Sequence, residues 1–227
     1  MIRLVLFDID ATLIHTNHVG ITAFGKTLET VFGIADGTSG LTFAGRTDTG
    51  MVRELFLKFG VDPVKANFEK FFDAYTHFLG SMLPHCKGKI CPGVSALIGE
   101  LKALENPPAL GLLTGNIRRG AELKLGHFGL WEQFQTGAFA DDSEKRNEIA
   151  AAVLERGRRL LGDDLAGGHA VVIGDTPHDV ACGHSIGAKV LAVATGDSTV
   201  EELAALNPEW AVKDLTKITA AKLCGVC

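Results

Sequence analysis

Two carboxylates two residues apart, Asp8 and Asp10, close a short apolar run from Ile2 to Phe7. Acids placed that near repel each other, and a divalent cation or a shared proton is the usual reason to set them together at the end of a buried strand. A solvated strand end with an Asx turn closed by Thr12 also accounts for this pair alone. Two later apolar runs end in polar residues as well, in Leu113-Thr114-Gly115-Asn116 and in Ile173-Gly174-Asp175-Thr176-Pro177-His178-Asp179. Asp175 and Asp179 repeat the acidic pairing. Thr114 offers a hydroxyl, Gly115 lets a backbone amide approach an anion, and Asn116 is placed to cap a following helix. Lys145 and Arg146 supply a cation for phosphoryl charge. Acids for a metal and a hydroxyl on three strand ends, and a cation for phosphate at a helix start, thus converge on one edge.

The elements that must position them read from periodicity. Short apolar runs bounded by turn residues predict strands at Ile2 to Phe7, Ala109 to Leu113, Ala170 to Ile173 and Lys189 to Ala194. Apolar positions three or four apart predict helices over 93–104, 117–127, 144–161 and 177–186. Strand alternating with helix implies a doubly wound parallel sheet, an α/β fold covered on both faces, with its ligand outside the carboxyl ends of the strands. The alternation is broken once. Residues 16–91 carry helical patterns only, with an aromatic stripe through Phe24, Phe32, Phe56, Phe68, Phe71, Tyr75 and Phe78, and read as an inserted helical cap on a core of residues 1–15 and 92–227.

Composition narrows the function. A chain of 227 residues with 46% hydrophobic and 22% charged residues is an ordinary globular sequence. A net charge of -5 argues against a nucleic-acid partner, and no stretch suits a membrane span or export signal, so the expected setting is cytoplasmic and the expected partner a small molecule. Five cysteines fit reduced thiols. Cys224 and Cys227 form a C-x-x-C without the second ligand pair that a zinc site needs.

The motifs together resemble the haloacid dehalogenase superfamily, in its phosphoglycolate phosphatase-like branch, over nearly the whole chain. They are Asp8-x-Asp10-x-Thr12, Thr114-Gly115-Asn116, Arg146 with Lys145 beside it, and Gly174-Asp175-Thr176-x-x-Asp179. Ala11 stands where that family more often has Gly, a change expected to matter little. The resemblance implies a Rossmann-like core with the cap between the first and second motifs. It also implies a Mg²⁺-dependent phosphatase acting on a small phosphate monoester. Asp8 is then the nucleophile and Asp10 the acid and base. Asp8, the backbone carbonyl of Asp10 and Asp175 hold Mg²⁺, Thr114, Gly115, Asn116 and Arg146 bind phosphate, and Asp179 and Thr12 support them. Lys145 is the alternative to Arg146. The cap loop Phe43-Ala44-Gly45-Arg46-Thr47-Asp48 resembles that branch's substrate-contacting loop, which makes Arg46 and Thr47 specificity candidates; Arg46 could equally bind Asp48. Monomer and homodimer stay open.

Other readings compete. Gly20 to Thr27 matches a P-loop pattern, yet Ile21, Phe24 and Leu28 run through it as one helical face. A receiver-like signalling domain also phosphorylates an aspartate, though without an acid beside it, and a phosphomutase of the same fold differs mainly in its acceptor. His15, His18 and His178 carry no expected catalytic role.

Overall fold

The computed structural model describes residues 1–225. Six parallel strands form one sheet: β1 (Leu4–Phe7), β4 (Ala109–Leu113), β5 (Thr136–Ala138), β6 (Ala170–Gly174), β7 (Lys189–Val193) and β8 (Trp210–Val212), in the order β5-β4-β1-β6-β7-β8. The central β1 is hydrogen-bonded to β4 on one side and β6 on the other, with Phe7 opposite both Leu112 and Ile173. That register sets Asp8 beside the ends of β4 and β6, at the point where the sheet changes winding direction.

Alternation along β1 divides its side chains between two cores. Val5 and Phe7 pack with α4 (Val94–Ala103), α5 (Arg118–His127) and α9 (Ala220–Cys224). Leu4 and Leu6 pack against α6 (Arg146–Leu161) on the opposite face. Two short helices, α7 (Pro177–Ser185) and α8 (Val200–Ala204), complete the cover over β6 and β7. The four apolar runs became strands. The edge strands β5 and β8, three residues each and mostly half-buried, are too short for periodicity to mark them as strands.

Between β1 and β4 the chain forms α1 (Val19–Phe32), α2 (Asp48–Phe59) and α3 (Lys65–Met82). A two-stranded antiparallel ribbon of β2 (Ile14–His15) and β3 (Lys89–Ile90) joins the segment's departure to its return. Its aromatic stripe forms a separate core, where Phe24 meets Phe71 edge-on at a centroid distance of 4.7 Å, and Ile117 and Ala140 from the sheet side join this core. The P-loop reading fails. Gly20 to Thr27 lies within the continuous helix α1, and Lys26 is an exposed residue paired with Glu29.

Among the described residues no helix is long and apolar enough to cross a membrane. Cys86, Cys91, Cys182 and Cys224 are free thiols, and the second member of the C-x-x-C, Cys227, lies outside the described residues.

Candidate active site

The residues singled out at the strand ends converge. Asp8 follows β1, its amide donating to the Ile173 carbonyl at 2.9 Å. Asp175 follows β6, and Thr12, at the far side of the tight turn after β1, donates its hydroxyl to Asp175 Oδ1 at 3.0 Å. Inside this turn Ala11 has a φ of 61°. The position is therefore left-handed, where glycine is unstrained and alanine bears about 1 kcal/mol or more, so the replacement matters more than the motif alone suggests.

Asp8, Asp175 and Asp179 are all buried, with one carboxylate oxygen from each lying within 4.8 Å of the others. Burial first, and then the charge of Asp179, pushes the Asp8 and Asp175 carboxyls above the usual carboxylate range. An all-oxygen, anionic donor set short of positive charge fits a hard divalent cation. Asp179 is the least available of the three. Its Oδ1 pairs with Arg146, while its Oδ2 accepts from the Thr176 amide at 3.0 Å and the Thr176 hydroxyl at 2.6 Å, in the capping box that opens α7. Asp8 and Asp175 remain to face a cation.

Arg146 is the first residue of α6, a place where the helix dipole disfavours a cation. It is nonetheless buried, held by Asp179 and by Asp8, whose Oδ1 lies 3.6 Å from Nη1. Its Nε has no hydrogen-bond partner among the described residues. Lys145 points the other way, 78% exposed and paired with Glu148 at 3.0 Å. Of the two basic residues, only Arg146 reaches the carboxylates.

Thr114 and Asn116 form a second polar group around Asp10. Asn116 Nδ2 donates to Asp10 Oδ2 at 2.8 Å and to Thr114 Oγ1 at 2.9 Å, which leaves the Thr114 hydroxyl hydrogen for another acceptor. Asn116 is not a helix cap, contrary to the expectation from sequence. The first amides of α5 are instead satisfied from elsewhere: Ile117 donates to Asp48 Oδ2 at 2.9 Å and Arg118 to Asp141 Oδ2 at 2.5 Å. Burial pushes the Asp48 carboxyl up to about 6, with the Lys124 charge acting in the opposite direction. The residue that sequence reasoning missed is Lys124, whose ammonium lies 2.9 and 2.7 Å from the two Asp10 oxygens and 2.6 Å from Asn116 Oδ1.

The cap loop closes over this edge mainly by its backbone. Gly45, at φ 69°, lies against the His178 ring, and the Asp48 amide donates to the Gly115 carbonyl at 2.7 Å. Thr47 caps α2 by accepting from Gly50 and donates to the Glu144 carbonyl at 2.8 Å. Arg46 pairs with Glu54 rather than Asp48. A cavity of about 630 Å³ separates this loop from α6, with Arg46, Met51, Lys145, Arg146 and His178 in its wall.

At Gly115 the approach is tightest, since a Cβ there would sit 2.0 Å from the Arg46 carbonyl oxygen. Gly115→Ala is accordingly expected to push the cap loop off the sheet edge and to lower stability by about 1–3 kcal/mol. Urea unfolding of both proteins measures this, and an unchanged midpoint would show that the loop does not press on Gly115 in solution.

Residues 5–193 match the haloacid dehalogenase-like hydrolase family. The sequence is 27% identical to the pyrophosphatase PpaX of Bacillus pumilus over 223 residues, 96% of this chain and 95% of the relative. It is 29% identical over 194 residues to the bifunctional riboflavin kinase/FMN phosphatase of Arabidopsis thaliana, covering 83% of this chain and 48% of that protein. A HAD hydrolase of family IA, variant 3, from Entamoeba histolytica shares the fold with a TM-score of 0.73 at 19% identity, over 99% of this chain and 98% of that one. With the match spanning most of the sheet and the whole cap, the chain belongs to the haloacid dehalogenase-like hydrolases.

Proposed function

We propose that this protein is a Mg²⁺-dependent phosphatase that hydrolyses a small phosphate monoester through an aspartyl phosphate on Asp8. The observation that carries the reading is the setting of Asp8, buried between Asp175 and Arg146 and two residues from a carboxylate that Lys124 and Asn116 hold in place. Asp8 attacks phosphorus, and the bond to the leaving oxygen breaks with its electron pair on that oxygen. Asp10 supplies the proton. In the second half Asp10 takes a proton from water as the water oxygen attacks phosphorus, the bond to Asp8 breaks, and phosphate departs. Arg146 and the Thr114 hydroxyl bind the phosphoryl oxygens, and Asp179 holds Arg146 in position. Asp8, Asp175 and the backbone carbonyl of Asp10 would hold Mg²⁺, which would supply the positive charge that lets an anionic ester approach these acids. The cavity under the cap, with Arg46, Lys145 and Arg146 in its wall, favours a small leaving group that carries negative charge, and an intracellular metabolite in the cytoplasm suits such a site.

A panel of phosphomonoesters, with inorganic pyrophosphate added because of the PpaX relative, tests this with and without Mg²⁺. Phosphate release from at least one monoester is expected, falling on the order of 10²-fold on chelation and returning when Mg²⁺ is restored. Full activity after exhaustive chelation would contradict the metal assignment. Accumulation of a stable phosphoprotein without turnover would instead favour the receiver-like reading.

A further inference from the structure

Lys124 stands on α5, eight residues beyond Asn116, and its side chain is only 6% exposed, whereas that of Asp10 is 45% exposed. A lysine is rarely buried to that extent unless its charge and all three donors are answered. Here they are, by the two Asp10 oxygens and by Asn116 Oδ1. The cap completes the enclosure. A Cβ on Gly20, near the start of α1, would lie 3.4 Å from both Cε and Nζ of Lys124, so the absence of a side chain at Gly20 lets the cap helix roof the ammonium. Asn116 continues the chain of contacts by accepting from Lys124 and donating to both Asp10 and Thr114.

We propose that Lys124 is a positioning residue that holds the Asp10 carboxylate at the angle its proton transfers require and, through Asn116, ties that angle to the phosphate-facing hydroxyl of Thr114. The proposal rests on the assignment of Asp10 as acid and base. A carboxylate at the solvent edge of a site has free rotation about its χ torsions, and an error of about 1 Å in a proton-transfer partner costs on the order of 10²-fold in rate. Two contacts from a buried ammonium, plus one from Asn116, remove that rotation. Oδ2 then accepts from both Lys124 and Asn116, while Oδ1 accepts from Lys124 alone and retains a second lone-pair direction for substrate or water. Surface stabilisation would not explain the arrangement, because an exposed lysine on α5 would do as much for the helix without being enclosed by the cap.

The test uses the full chain with Mg²⁺ and two esters. p-Nitrophenyl phosphate needs no proton on its leaving group, whereas an alkyl phosphate does. Lys124→Met keeps the stem and removes the donors. With the alkyl ester, kcat is expected to fall about 10²-fold while KM stays within about twofold. With p-nitrophenyl phosphate, the first turnover is expected to remain near the parental rate, followed by a slow phase, giving a burst of one nitrophenolate per enzyme. The burst arises because only dephosphorylation then depends on Asp10. Lys124→Gln, which restores a neutral donor, should recover at least part of the alkyl ester rate, and it carries the same comparison if the Met variant does not fold. Parental kinetics, or an equal fall in every phase with both esters, would overturn the positioning role. Asp10→Asn run in parallel separates the two levels of the argument. If it shows the burst and Lys124→Met does not, only the role of Lys124 fails; if Asp10→Asn turns over like the parent, the acid and base assignment fails.

Discussion

Asp8→Asn is expected to lower turnover by about 10⁵-fold or more while the protein stays folded. The amide cannot attack phosphorus to give an aspartyl phosphate, and loss of a nucleophile that works together with its neighbours removes nearly the whole benefit of the site. The substitution also takes one negative charge from a buried cluster of three. Because burial and the neighbouring acids hold the Asp8 carboxyl above its ordinary range, its ionised form opposes folding at neutral pH when no cation is present. Arg146 keeps Asp179 as its partner. In chelator, therefore, the variant should unfold at the same temperature as the parent or higher. Acid-quenched protein incubated with labelled ester should carry label in the parent and none in the variant. Folded Asp8→Asn protein retaining more than roughly a hundredth of parental turnover would end the nucleophile assignment, since without the attacking group only the residual benefit of binding and electrostatics is left.

Asp10→Asn is expected to lower kcat on the order of 10³-fold, within the range for removing a positioned acid and base. Its backbone carbonyl is retained, so the Mg²⁺ concentration giving half-maximal activity should change little. Part of the side-chain network survives as well. The Asn oxygen can accept from Lys124 or from Asn116, but the new NH₂ group faces a donor where the second oxygen accepted one. Asp10 is half-exposed, so water relieves that mismatch and the effect on folding should be small. Phosphoenzyme should accumulate with an ester whose leaving group is already a weak base. A variant with parental kcat, or one that loses activity only through weaker Mg²⁺ binding, would remove Asp10 from the proton transfers.

Much of the site was legible before any coordinates. Asp8, Thr114 and Asp175 each follow an apolar run long enough to be read as a buried strand, and parallel strands bring their carboxyl ends to one edge whatever the intervening helices do. Spacing then specified the acid pairs. The edge strands were not legible, because three residues are too few for periodicity to mark. Lys124 was invisible for a different reason. A lysine in an amphipathic helix reads as solvated, whereas in the fold Asp10, Asn116 and the approach of α1 at Gly20 surround it.

The choice between adjacent residues also lay beyond the linear pattern. Lys145 and Arg146 are equivalent as neighbouring cations, but Lys145 is the extended N-cap of α6 and Arg146 its first helical residue, so Arg146 faces Asp8 and Lys145 faces water. Asn116 has the composition of a helix cap, yet Asp48 from the cap reaches the α5 amide first and releases the Asn116 side chain toward Asp10. Residue order thus sets which groups arrive at the strand ends, since strand and helix periods are local properties of the chain. Which of those groups touch depends on how α1, α2 and α5 pack across about a hundred residues of intervening sequence, where burial and competing hydrogen-bond partners choose each side chain's neighbour.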